Sequence, residues 1–256
     1  MRLGSTNTGC ATLTRHDGTL VLDQPGKVYS KLDIHGKVDM RAPGVKLVDS
    51  IARGGVAPAT GSTGVIMATH ANLSDYLIEG VTVAPNHPAK NLNGIYASRP
   101  GTIRRANISA AVDGIVIHGD KVWVDETWVH DLTTYPTGHS DGGPTHNDCI
   151  QIEGGKGVRV TNSDLSGASN AAIMVTQNAG PVGDLIVMGT HLAGGSYAIN
   201  FGSKGDPKKN LLIAHNVFGF SKDGQRRAII RNAAASPIIE YANTYDDGTP
   251  ITVKNG

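Results

Sequence analysis

Cysteine is almost absent. The chain has two, Cys10 and Cys149, in 256 residues, too few for a disulfide scaffold and without the paired spacing of a zinc site. Cys149 opens the apolar run CIQI, so both cysteines are expected to be free thiols, the second serving as a small core hydrophobe. An excess of charge of one sign is lacking too. The net charge is +1 and the pI about 7.8, and the basic residues are scattered apart from the pairs Arg104–Arg105, Lys208–Lys209 and Arg226–Arg227. Without a basic stripe, no nucleic-acid partner is expected. No run approaches the ~18 consecutive apolar residues of a membrane span, so no membrane insertion is expected. The opening MRLGSTNTGC has no apolar segment of a signal peptide, which leaves either another route or prior removal of a leader. Aromatic residues make up only 5 %, a thin supply of stacking platforms for a sugar.

Glycine, by contrast, is abundant at 33 residues. Helix interiors tolerate it poorly, at a cost of roughly 0.5–1 kcal/mol each, whereas short strands joined by tight turns use it. A four-residue pattern recurs: small, branched apolar, any, apolar. It appears as GVIM (64–67), GIYA (94–97), GIVI (114–117), CIQI (149–152), AIMV (172–175), AINF (198–201), AIIR (228–231) and PITV (250–253). Between these lie VWVDETWVHD (122–131), VRVTNSDLSG (158–167), LIVMGTHLAG (185–194) and LLIAHNVFGF (211–220), each with two strand-like alternations around a polar pair. Units repeating every ~20–35 residues read as a solenoid, and the short runs with glycine turns make it β. An antiparallel sandwich would account for the short strands but not for the in-register isoleucines. The expectation is an all-β solenoid, a parallel β-helix of about eight coils, with 1–44 as an N-terminal cap or first irregular coil and 45–256 as the β-helix. ITVKNG ends on a repeat strand, an open edge suited to an additional domain or a homo-oligomer partner.

The chain resembles the pectate-lyase-like superfamily of single-stranded right-handed parallel β-helices, which includes polysaccharide lyases, glycoside hydrolases and bacteriophage tailspikes. The opening STNTG and the TLTRHDGTLVLDQPGKVYSKLDIHGKVDMRAPGVKLVDS that follows are similar to openings of uncharacterised β-helix proteins from actinobacteria and their phages. The coil HNDCIQI (146–152) is similar to one often seen in them. The resemblance covers most of the chain. It implies a right-handed helix, a polysaccharide or cell-surface glycan as partner, and an extracellular or virion-associated setting. The aspartate set of the polygalacturonases and the grouped acids and arginines of a pectate lyase calcium site are not in evidence.

The longest gap between core strands carries HDLTTYPTGHSDGGPTHND (130–148), and loops on a rigid scaffold are where solenoids place function. Its His130, His139, His146, Asp131, Asp141 and Asp148, with His118 just before it, form the densest polar cluster. The strand register puts Tyr96, Gln151 and Asn200 outward on one face and makes His118 and Glu153 vertical neighbours, with Asp148 and Tyr197 at the flanking turn. A groove across the coils results, shaped for a linear glycan.

β-Elimination on a uronate needs a base, an acid and a group that neutralises the carboxylate. His118, His139 or His146 can be the base, an imidazole titrating near neutrality. Tyr197 can be the acid, with Arg99 or Lys121 as neutraliser. Hydrolysis would use Glu153 and Asp148 as a carboxyl pair. Each of these residues also has an ordinary structural role open to it, as a solvated face or a turn. Histidines outnumber paired carboxylates, which favours a polysaccharide lyase over a glycoside hydrolase; a non-catalytic glycan-binding or phage tail structural module is the remaining reading. No cofactor is expected: a divalent cation would suit the histidine and aspartate cluster, but no spacing matches a specific metal motif. A separate column, Trp128, Asp164 and His191, reads as structural, with Asp164 able to orient His191.

Overall fold

The computed structural model describes residues 12–139, 142–202, 209–231 and 238–256; Cys10, Asp141 and Lys208 lie outside the described residues. Three long parallel sheets, of ten, ten and nine strands, wind around a common core. Each coil visits them in turn. The first sheet begins with Thr14–Asp17, the second with Leu20–Leu22 and the third with Val28–Ser30, and the next coil restarts the first sheet at Leu32–His35. This is a right-handed parallel β-helix. The second sheet has ten rungs where the repeat led us to expect about eight. Its first two, Leu20–Leu22 and Val38–Met40, carry LVL and VDM, which lack the small-then-branched signature. Strands between Thr14 and Met40 are in register with those that follow.

The isoleucine column is the spine of the second sheet. Ile66, Ile95, Ile115, Ile150, Ile173, Ile199 and Ile229 stack rung on rung, all fully buried. At the two ends the observed register differs from the pattern: Ile66 rather than Val65 lies beside Ile95, and Val253 rather than Ile251 beside Ile229. Val65 is buried as well, so the apolar pair there gives two equally hydrophobic registers, and pairing with the neighbouring strand chooses one. The small residue of the pattern also has a physical cause. A Cβ on Gly114 would stand 2.4 Å from Val129 Cγ1 and 2.5 Å from the Cys149 carbonyl oxygen, because consecutive coils approach closely there. Cys149 is buried and free.

The corner between the third and first sheets is a buried polar ladder. Thr190 N–H donates to Asn216 Oδ1 (3.0 Å), Asn216 N–H donates to Asn243 Oδ1 (2.9 Å), and the Asn216 and Asn243 amides donate to Val187 and Ile213 carbonyls. Such side chains satisfy the backbone where the chain turns out of one sheet into the next. The opposite corner, from the first sheet into the second, is where the 130–147 excursion leaves the coil, and it overhangs the second sheet. Among the described residues no helix is long and apolar enough to cross a membrane.

Candidate functional site

The site forms where three neighbouring coils of the second sheet, Leu92–Ala97, Ile115–Ile117 and Asp148–Ile152, pass under that excursion. His118 and Glu153 follow the paired Ile117 and Ile152 and are in contact through His118 Nε2 and a Glu153 carboxyl oxygen, the vertical adjacency expected from the register. The Tyr96 hydroxyl lies 3.1 Å from the same His118 nitrogen, and its ring meets the imidazole edge-on at 4.8 Å. Asn178 Nδ2 donates to the other Glu153 oxygen at 3.0 Å. Both His118 and Glu153 are mostly covered, with 24 % and 17 % of their side chains exposed. Burial first, then the charges of Glu153 and Asp113, push the Tyr96 hydroxyl pKa up, so it keeps its proton at neutral pH.

Beside this trio is a cleft of about 270 Å³, lined among others by Lys90, Asp113, His146, Asp148, Gln151 and Asn170. His139 and His146, whose rings stack at 3.9 Å, form the loop side of it together with Gly138 and Thr145. The loop is pinned by Asn147, fully buried, whose amide donates to the carbonyls of Val112 (2.7 Å) and Thr133 (2.6 Å). A buried asparagine with its partners filled holds the chain at 147 against the coil where the excursion rejoins the sheet.

Asp113 is the residue that sequence reasoning missed. Asp113 and Asp148 occupy equivalent places in DGIVI and DCIQI, one residue before the small position that opens the repeat, and extending the pattern one residue back exposes the pair. Their side chains bridge successive coils: Asp148 N–H donates to Asp113 Oδ1 at 2.9 Å, Asp113 N–H to Asn93 Oδ1 at 3.3 Å, and Asn170 Nδ2 to Asp148 Oδ1 at 2.9 Å. Asp148 is fully buried and its Oδ2 has no hydrogen-bond partner. Burial is the main force on both, followed for Asp148 by the charge of Asp113. The Asp113 carboxyl is raised to about 7, and that of Asp148 well above the ordinary aspartate value. Two adjacent carboxyls in a dry site cannot both ionise cheaply, so the pair holds a proton near neutrality.

A pH prediction follows. Between the ordinary 3.8 and about 7, native Asp113 keeps a proton that the unfolded chain has released. Stability therefore falls as pH rises through that window. Asp113→Asn keeps an acceptor oxygen for Asp148 N–H and removes the charge, as Asn93 already does one coil earlier. The variant is expected to be more stable than the parent by on the order of 2–4 kcal/mol at about pH 8 and little changed at about pH 4 or below. Urea unfolding at both pH values measures this; an unchanged pH slope in the variant would show that Asp113 is ionised in the native protein.

The other expected site residues are dispersed. Tyr197 lies in register with Ala171 and, one coil back, Asp148. It is therefore two coils from the trio's edge, with its ring near Arg227 and Lys254. Asn200 is likewise two rungs from Gln151, with Met174 between. Arg99 Nε donates to the His70 carbonyl at 3.1 Å and Arg99 is not among the cleft's lining residues. His130 faces the first sheet, bonded to Asn107 (2.8 Å) and Asp131 (2.7 Å) and stacked on Trp128. Among the described residues, no three His, Cys, Asp or Glu side chains are grouped as metal ligands.

No family model and no curated protein sequence matches the chain. Solved structures do. An alginate lyase from Paenibacillus sp. strain FPU-7 is 11 % identical, with a TM-score of 0.50 over 93 % of this chain and 98 % of that one. The Agl-KA catalytic domain is 9 % identical, with a TM-score of 0.52 over 94 % of this chain and 59 % of that one. The Dettilon tailspike protein is 12 % identical, with a TM-score of 0.51 over 95 % of this chain and 61 % of that one. The shared feature is the right-handed parallel β-helix fold. The chain thus spans nearly the whole of the first of these and about three fifths of the other two.

Proposed function

We propose that this protein cleaves a uronic-acid-containing polysaccharide by β-elimination at the Tyr96–His118–Glu153 face, beside the cleft that binds the substrate under the 130–147 loop. The observation that carries the reading is the Tyr96–His118–Glu153 contact on the face of the second sheet. An ionised carboxylate only accepts, so Glu153 fixes the tautomer: Nε2 carries the proton and Nδ1 the lone pair. His118 is then the base that removes the proton beside the uronate carboxylate. Tyr96 is the acid that protonates the leaving oxygen, a role for which a hydroxyl of raised pKa, still protonated at neutral pH, is suited. This role was expected of Tyr197, whose place two coils away favours binding of a distal sugar instead. Lys90, with the amides of Gln151 and Asn170, neutralises the substrate carboxylate in place of Arg99, since all three line the cleft.

Hydrolysis is the second reading, favoured by one observation: the Asp113–Asp148 pair holds a proton near neutrality, as a general acid must. The likeness to an alginate lyase supports alginate as the first substrate to try, and the likeness to a tailspike supports bacterial surface glycans as the next. The fit to extracellular or virion-associated β-helix proteins of actinobacteria and their phages belongs to the same proposal. A panel of alginate, pectate and bacterial surface polysaccharides, read in parallel for ultraviolet absorbance of unsaturated ends and for new reducing ends, tests it. Both signals together mean elimination. Reducing ends alone move the chemistry to Asp113 and Asp148. Neither signal on any substrate leaves a binding or structural module.

A further inference from the structure

A second, larger cleft, of about 650 Å³, opens at the corner between the third and first sheets, around the helix from the Tyr96–His118–Glu153 trio. Its centre is His191. Nδ1 of that imidazole lies 3.3 Å from Asp164 and Nε2 lies 3.4 Å from Asp246, so one ring holds two carboxylates that come from different coils. Gly219 lies close to His191 and Asp246, where a Cβ would stand 2.8 Å from Ala193 Cβ, 3.2 Å from Asp246 Oδ2 and 3.4 Å from His191 Nε2. Glu126 adds a third carboxylate at the rim.

An aromatic platform adjoins the cleft along the same column of outward positions. Trp128 is the register partner of Asp164, which is the partner of His191. Trp128 stacks on His130 with ring centroids 3.5 Å apart and planes 17° apart. His130 is itself held at both nitrogens, by Asn107 and Asp131, so the stacked pair is fixed before any ligand arrives. On the other side His215 lines the cleft, with the ring of Tyr241 edge-on to it at 5.2 Å.

We infer that this corner is a second glycan-binding cleft, distinct from the proposed lyase site, and that it takes uncharged sugar residues. Carboxylates accept hydrogen bonds from hydroxyl groups in charge-assisted pairs. A flat ring pair offers a surface to the C–H face of a pyranose. From Trp128 to Asp246 the site crosses several rungs at about 4.8 Å each, the length of a short oligosaccharide. The charge decides the substrate class: Glu126, Asp164 and Asp246 line this cleft with two imidazoles, His191 and His215, and the carboxylates disfavour a uronate here, whereas Lys90 and the paired histidines receive it in the other cleft. The hydrogen bond to Asp164 first, with the charges of Asp164 and Asp246, raises the His191 pKa against the opposing effect of its burial, and this favours the charged form that keeps the two aspartates in place. The two clefts would then grip different sugars of one mixed polymer.

The test is isothermal titration of the full chain with cellotetraose, maltotetraose, mannotetraose and galactotetraose, with tetragalacturonate as the acidic control. Binding of at least one neutral tetrasaccharide is expected, weakened about tenfold or more by Asp246→Asn and by Trp128→Leu and unchanged by His118→Ala. Asp246 is half exposed, so its variant is expected to melt with the parent, and Trp128→Leu serves as the independent check. Absence of binding to all four neutral sugars, or binding indifferent to both cleft variants, overturns the inference; so does tighter binding of tetragalacturonate that Asp246→Asn weakens. Because Asp246→Asn leaves His118 and Tyr96 intact, loss of neutral-sugar binding with uronate cleavage unchanged separates this inference from the proposed activity.

Discussion

Ile150→Asp is expected to abolish the folded state. Ile150 is fully buried in the centre of the isoleucine column, between Ile115 and Ile173. Removing a buried aliphatic side chain alone costs about 2–5 kcal/mol. A carboxylate in its place adds several kcal/mol more, since the isoleucines above and below offer no hydrogen bond. The sum is comparable with the whole stability of a domain, about 5–15 kcal/mol. A solenoid is also vulnerable at its middle, because each coil is held only by its neighbours, and a broken rung leaves two exposed ends. Gln151→Ala is the control: it is adjacent in sequence but faces outward, and its expected change is within about 0.5 kcal/mol. Circular dichroism melts and soluble yield compare the two. A cooperative, native-like melt for Ile150→Asp would mean that the column is not the core.

His118→Ala is expected to reduce cleavage of the cognate polysaccharide by about 10²–10⁴-fold, the usual contribution of a positioned acid–base group. The fold should be unaffected, because His118 lies outside the packed column and its two contacts, to Tyr96 and Glu153, are made on the outer face. Glu153→Gln tests the positioning role separately. It keeps the shape and a hydrogen-bond acceptor but removes the charge that favours the Nε2–H tautomer, so a smaller loss with a shifted pH profile is expected. Tyr96→Phe should cost activity comparably to His118→Ala, and Tyr197→Phe should change substrate affinity more than turnover. Full activity in His118→Ala would sink the assignment of the base and return the chemistry to the Asp113–Asp148 pair.

How much of this was legible beforehand differs between scaffold and site. Period and register are local properties. A small residue followed by a branched one, repeated at intervals, is enough to stack the coils, and that same register placed His118 over Glu153. The excursion at 130–148 was also visible as the longest interruption of the pattern, and two of its histidines, His139 and His146, do line the cleft. Its third, His130, does not, because bonds to Asn107 and Asp131 and the stack on Trp128 draw it to a different sheet. Loop residues have no register, so nothing in their spacing says which face they will meet.

The coiled architecture, the buried isoleucine spine and the vertical neighbours on one face are therefore written in the residue pattern, since each follows from a period of two within strands and a repeat between them. Which side chains meet is set by the fold. It brought Tyr96 rather than Tyr197 to His118, revealed Asp113 beneath Asp148, and joined Asp164 and His191, read from the sequence as a structural column with Trp128, to Asp246 in the wall of a second cleft. The physical reason is that burial, shared protons and side-chain direction depend on what the neighbouring coils supply, tens of residues away along the chain.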